Sequence, residues 1–129
     1  MIYRIDVQIT VPLNATEVVD RVEECITNLF PNAAVEESPG ELIAETHSMD
    51  HFADRLREQS IQATARDVFR RRTDGDTFDF ELKKQAAFKG VVNFSVGNPD
   101  ELGDMFVRVR VEEPTIEELI DHIAPSVSE

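Results

Sequence analysis

One cysteine, three lysines and five scattered glycines set the first limits on this 129-residue chain. Cys25 has no partner cysteine, so no disulfide can form within the chain, which suits a reducing compartment. No apolar run approaches the roughly 20 residues that a spanning helix needs. The opening residues, Met1-Ile2-Tyr3-Arg4-Ile5-Asp6, alternate apolar with polar, so no export signal is expected there. Gly40, Gly75, Gly90, Gly97 and Gly103 are too dispersed for a phosphate-binding loop, and no serine sits in a nucleophile-elbow pattern. These absences predict a cytoplasmic protein with no membrane contact, no cofactor and no recognisable catalytic apparatus.

What the chain has in excess is negative charge. Twenty-six acidic residues face thirteen basic ones, a net charge of -13. Such acidity with few lysines suggests a high-salt cytoplasm, where screening relieves self-repulsion. Segment 55–89 departs from this balance: nine basic side chains meet six acidic ones, a local charge of +3 that leaves -16 for the rest. A basic stretch in an acidic chain points to an anionic partner. Hydrophobic residues are 41% of the chain, enough for a core, and the length predicts a single domain over 1–129.

Hydrophobic periodicity gives the order of elements. Tyr3, Ile5, Val7, Ile9 and Val11 alternate with polar residues, the pattern of a strand with one buried face. Asn14 and Glu17 resemble a capping box ahead of a helix carrying Val18, Val22, Ile26 and Leu29. Pro31 stops that helix. Ala33–Glu37 and Glu41–His47 read as a hairpin around Ser38-Pro39-Gly40. Ser48 opens a helix with Met49, Phe52 and Leu56, and a second helical run from Ser60 ends in Arg70-Arg71-Arg72. Strands follow at Phe78–Lys83, Val91–Val96 and Met105–Val111, with a loop at Gly97–Asp100. Thr115 and Glu118 cap a last helix with Ile116, Leu119, Ile120 and Ile123 inward. Hairpins mixed with helices predict an α+β fold, a two-layer α/β sandwich whose antiparallel or mixed sheet carries helices on one face.

Few constellations could carry chemistry. His47, Asp50 and His51 lie close together, but a zinc site needs three or four convergent ligands and there is no second His or Cys cluster, so a metal-assisted hydrolase is the least favoured expectation. Cys25 sits among apolar neighbours and reads as core. Paired acids such as Glu23-Glu24 read as a solvated face. Two features stand out. Arg70, Arg71 and Arg72, with Lys83, Lys84 and Lys89, offer cations that can hold phosphates. Arg4, Gln8, Lys83, Arg108 and Arg110 occupy the polar faces of strands, and form a basic, hydrogen-bond-rich surface if those strands are neighbours.

The block Lys84-Gln85-Ala86-Ala87, then Gly90 and Val92-Asn93-Phe94, resembles an archaeal family catalogued as uncharacterised protein family 0201. Asn28-Leu29-Phe30-Pro31, Thr64-Ala65-Arg66 and Leu119–Pro125 support the resemblance, which covers nearly the whole chain. It implies a fold like that of the large-subunit ribosomal protein that binds 5S rRNA, and a role in binding RNA. It carries no catalytic residues. Lys84, Gln85 and Asn93 match its motif. The leading expectation is therefore a non-enzymatic binder of structured RNA. Phosphates would meet Arg70, Arg71, Arg72, Lys83, Lys84 and Lys89, while Gln85 and Asn93 would offer hydrogen bonds to bases or 2′-hydroxyls. The second expectation is a protein-interaction module or homodimer using an exposed sheet edge.

Overall fold

The computed structural model describes residues 3–95 and 103–126. Its elements in chain order are β1 (Arg4–Pro12), α1 (Val19–Thr27), β2 (Ala34–Ser38), β3 (Glu41–Thr46), α2 (Asp50–Glu58), α3 (Gln62–Arg71), β4 (Thr73–Asp74), β5 (Thr77–Lys83), α4 (Lys84–Ala87), β6 (Asp104–Glu113) and α5 (Ile116–Ile123). The six strands form one sheet in the order β2-β3-β1-β6-β5-β4, with every neighbouring pair antiparallel. The α+β, two-layer expectation holds.

Alternation along the strands builds the two layers. Ile5, Val7, Ile9 and Val11 of β1 are buried, as are Phe78, Phe80 and Leu82 of β5 and Met105, Val107, Val109 and Val111 of β6. The helices pack Val22, Ile26, Phe52, Leu56, Phe69, Leu119 and Ile123 onto that face, and all of these residues belong to one continuous core. Burying each large apolar side chain stabilises the fold by roughly 1.5–3 kcal/mol. Aromatic rings organise its centre: Phe69 lies 4.9 Å from both Phe78 and Phe80, and Phe52 lies 5.2 Å from Phe30 and 5.4 Å from Phe80. Offset and tilted ring pairs at such distances add to the area term.

Local differences from the sequence reading have identifiable causes. The Asn14–Glu17 box forms only in part. The Asn14 backbone N–H donates to Glu17 Oε1 at 2.9 Å, but Glu17 sits in a turn and α1 starts at Val19, because the carboxylate is also claimed by Lys84. The expected strand at Val91–Val96 reduces, among its described residues, to one bridge between Phe94 and Leu82. The Asn93 carbonyl and the Ser95 N–H bond Lys83 N and Glu81 O, both at 2.8 Å, but β5 ends at Lys83 and α4 begins at Lys84, and the Gln59 amide holds Val92 by donating to its carbonyl and accepting from its N–H, both at 2.8 Å. Val96 and the loop at Gly97–Asp100 lie outside the described residues. At the last helix the expectation holds, with Thr115 Oγ accepting the Glu118 N–H at 3.2 Å.

Candidate nucleic-acid interface

Sheet order decides which polar strand residues become neighbours. β6 lies between β1 and β5, so Arg108 stands opposite Gln8 on one side and Asp79 on the other, and Arg110 stands between Asp6 and Thr77. Asp6, Gln8, Glu45, Thr77, Arg108 and Arg110 line a shallow depression of about 360 Å³ on the open face. Three of the five strand residues expected to form a polar surface, Gln8, Arg108 and Arg110, are thus gathered at its centre. Arg4 and Lys83 lie on the same face at the strand ends, opposite Glu113 and Asp104 respectively.

The charges on this face are largely matched. Arg110 Nη2 donates to Asp6 Oδ2 at 2.7 Å and to Glu112 Oε1 at 2.8 Å, and these carboxylates raise the pKa of its guanidinium. His47 Nδ1 lies 3.0 Å from the Ile5 carbonyl and 3.1 Å from Asp6 Oδ1. The carbonyl hydrogen bond, then the charges of Asp6 and Glu45, raise the imidazole pKa above its ordinary value. Arg72 reaches over the sheet edge to pair with Asp79 and, at 3.3 Å, with Glu81. That leaves Arg108 without its register neighbour. It is exposed and makes no hydrogen bond or ion pair among the described residues; its guanidinium carbon instead lies 5.6 Å from the centre of the half-buried Phe106 ring. A cation over an aromatic face is a surface on which a nucleobase can stack.

The residues singled out from sequence are dispersed. Arg70 lies 4.0 Å from Glu117, and Arg71 pairs with Asp67 at 3.1 Å; both are exposed on the last turn of α3. Gln85, Lys89 and Asn93 are exposed around α4 and the segment after it. Lys84 requires a correction. Its side chain is 0% exposed, and Nζ donates to the Pro12 carbonyl and, at 2.7 Å, to Glu17 Oε1. A sealed ammonium of this kind cannot reach a phosphate in the folded chain. A signal was present: Lys84 continues the even-numbered, core-facing series Phe78, Phe80, Leu82.

The segments that carry the family resemblance meet in space. Asn28 Nδ2 donates to the carbonyls of Ala87 (3.1 Å) and Phe88 (3.3 Å). Arg55 Nε donates to Gly90 O at 3.0 Å, and Gly90 has φ +72, a conformation that strains any side-chain-bearing residue. Arg66 joins Asp121 at 2.6 Å and the Ala124 carbonyl at 3.2 Å, linking α3 to the end of α5. The spacing of His47, Asp50 and His51 does not gather a metal site. His47 faces Asp6, Asp50 accepts from the Tyr3 hydroxyl at 2.5 Å, and His51 Nε2 bonds the Asn28 carbonyl at 3.1 Å. Among the described residues no group of three or more His, Cys, Asp or Glu side chains is arranged to hold a metal ion, and no helix is long and apolar enough to cross a membrane.

An open antiparallel sheet backed by helices, with an arginine-on-aromatic surface at its centre, is an architecture suited to nucleic-acid contact. The model of a family described as "RNA binding" matches residues 6–113, and the chain belongs to that family, whose archaeal members are named UPF0201 proteins. A UPF0201 protein of Methanothermobacter thermautotrophicus is 30% identical over 95% of this chain and 92% of its own length. One from Methanocaldococcus jannaschii is 33% identical over 93% of this chain and 72% of its own length. Against the UPF0200/UPF0201 protein of Archaeoglobus fulgidus, 31% identical over 97% of this chain, the match spans only 39% of the relative's length. The crystal structure of a UPF0201 protein from Methanococcus jannaschii superposes with a TM-score of 0.88 at 33% identity, covering 95% of both chains.

Proposed function

We propose that this chain binds RNA without catalysing a reaction on it, and that the open sheet face is where bases are received. The observation that carries this reading is Arg108, held over Phe106 on the central strand β6 and left without an ion pair because Arg72 occupies the neighbouring Asp79 and Glu81. Unpaired bases of a loop or single-stranded segment would stack on this cation–ring pair, and Gln8 beside it would offer an amide to base edges. Arg72 and Lys83 flank the same face along β5. Arg70 and Arg71 extend the basic rim on α3, and Gln85, Lys89 and Asn93 lie beyond the end of β5 as further polar contacts. Lys84 holds the scaffold.

The test is fluorescence anisotropy with a labelled stem–loop RNA, comparing the natural chain with Phe106→Ala and Arg108→Ala. Stacking is worth about 1–3 kcal/mol per base, so each variant is expected to weaken binding by about 5- to 150-fold. Binding unaffected by either substitution, in proteins with native circular dichroism, would remove the sheet face from the reading.

A further inference from the structure

The helix side of the molecule carries a second polar hollow. Asn28 at the end of α1, His51 and Arg55 of α2, and Phe88, Lys89 and Gly90 after α4 line an open cleft of about 440 Å³. That volume lies within the range of small-molecule sites, roughly 300–1,000 Å³. Its lining contains two permanent cations and no carboxylate, in a chain whose net charge is -13.

The donors in this cleft are positioned but not used up. Arg55 Nε is fixed by the Gly90 carbonyl at 3.0 Å, and Nη1 meets the exposed Glu58 at 3.2 Å. Nη2 has no partner among the described residues. Lys89 is exposed and its ammonium makes no hydrogen bond or ion pair among the described residues. His51 Nε2 bonds the Asn28 carbonyl at 3.1 Å, and a carbonyl only accepts, so the ring must donate through Nε2. Arg55 is therefore held by a backbone carbonyl as it lines the cleft, and Lys89 supplies a second cation to the same lining. A forked guanidinium with a lysine is the usual pairing for phosphate oxygens. Phe88 borders the cleft while packing against the core, and the cleft is polar and open to solvent rather than a closed apolar pocket.

We infer that this cleft binds a phosphate monoester of the kind a nucleoside carries, with the phosphate meeting Arg55 and Lys89. The same chemistry is offered by a free nucleoside monophosphate and by the 5′-phosphorylated end of an RNA strand. The site stands apart from the sheet face and does not depend on the reading of Arg108.

The test uses the full chain, labelled with nitrogen-15, and follows backbone amide shifts on titration with AMP, adenosine and an oligoribonucleotide with or without a 5′-phosphate. AMP is expected to move Lys89, Gly90 and His51 saturably, with adenosine at least about tenfold weaker. Lys89→Glu, at an exposed side chain that the fold does not use, is expected to weaken AMP binding by about tenfold or more and leave the rest of the spectrum in place. Tighter binding of the phosphorylated oligoribonucleotide than of AMP would assign the site to RNA ends, and equal or weaker binding to free nucleotides. The same titration in Arg108→Ala should be unchanged, which separates this site from the sheet face. Equal affinity for AMP and adenosine, unmoved Lys89 and Gly90 resonances with both AMP and the phosphorylated strand, or a Lys89→Glu variant that binds as before would overturn the assignment.

Discussion

Replacing Lys84 with methionine keeps most of the buried stem and removes the charge. In the native chain Lys84 Nζ is sealed from solvent and bonds the Pro12 carbonyl and Glu17 Oε1, while the Glu17 side chain is 10% exposed. Removing one partner of a buried ion pair leaves the other charge uncompensated, at a cost of about 3–5 kcal/mol. Glu17 keeps its two hydrogen bonds from Asn14, both at 2.9 Å, so the lower end of that range is expected. In a domain of this size about 1 kcal/mol corresponds to roughly 4 °C, so the thermal midpoint should fall by about 12 °C or somewhat more. The double variant Glu17→Gln/Lys84→Met removes the orphaned charge and should be more stable than Lys84→Met alone. The pH dependence supplies a second readout. Burial pushes the Glu17 carboxyl up, but hydrogen bonds from Lys84 and Asn14 outweigh it and hold its pKa below the ordinary 4.5. The stability due to ionised Glu17 is therefore complete above pH 4.5 and is lost as pH falls through the depressed folded value. The gap between natural chain and variant should narrow over that same acidic window. Urea denaturation of the natural chain, Lys84→Met, Glu17→Gln and the double variant at neutral and acidic pH measures all of this. A Lys84→Met loss under about 1 kcal/mol, or strictly additive single substitutions, would refute the buried-pair account.

Three further outcomes follow from the geometry. RNA affinity should rise as pH is lowered through the raised His47 value, above 6.5, because protonation adds a cation beside Asp6 on the sheet face; His47→Gln should flatten that slope in anisotropy titrations, and an identical slope in the variant would exclude His47. Burial pushes the Cys25 thiol up to about 12, so a thiol reagent at pH 8 should label the chain only in denaturant, and rapid native labelling would contradict its place in the core. With a net charge of -13, thermal stability should increase from low salt to molar KCl as self-repulsion is screened, and a midpoint independent of salt would show that surface repulsion is unimportant to the fold.

How much of this was legible beforehand depends on how local the signal is. The buried face of β1 follows from alternation alone, and the α5 cap from Thr115 and Glu118, because each rests on neighbours within a few residues. The two-layer arrangement follows from the mix of hairpins and amphipathic helices. The shortening of the strand expected at Val91–Val96 was not legible, since it depends on β5 giving way to α4 after Lys83 and on Gln59, 33 residues away, holding Val92. Nor was the pairing of Arg108 with Gln8, which requires β6 to insert between β1 and β5. Lys84, Gln85 and Asn93 of the family-matching block are expected at an RNA surface because they are polar and match the motif of a family whose resemblance implies RNA binding. In space the block is mostly a junction: Lys84 ties α4 to the turn before α1, Gly90 accepts from α2, and Val92 is clamped by Gln59. Gln85, Lys89 and Asn93 are the polar residues of that region that remain turned to solvent.

The central placement of β6 has a consequence for how the chain is made. Asp6 and Arg110 share an ion pair across 104 residues of sequence, and among the described residues β6 alone joins β1 to β5. While the ribosome is still working upstream of residue 104, the emerging chain can form the β2–β3 hairpin with β1 beside β3 and the short β4–β5 hairpin, but these two pieces share no ladder. Their apolar faces, including Val7 and Phe80, await the same late strand. Completion of the sheet therefore waits until β6 has emerged from the ribosome. A pause or truncation before β6 leaves two half-sheets with exposed edges, the species most prone to pairing with a neighbouring nascent chain.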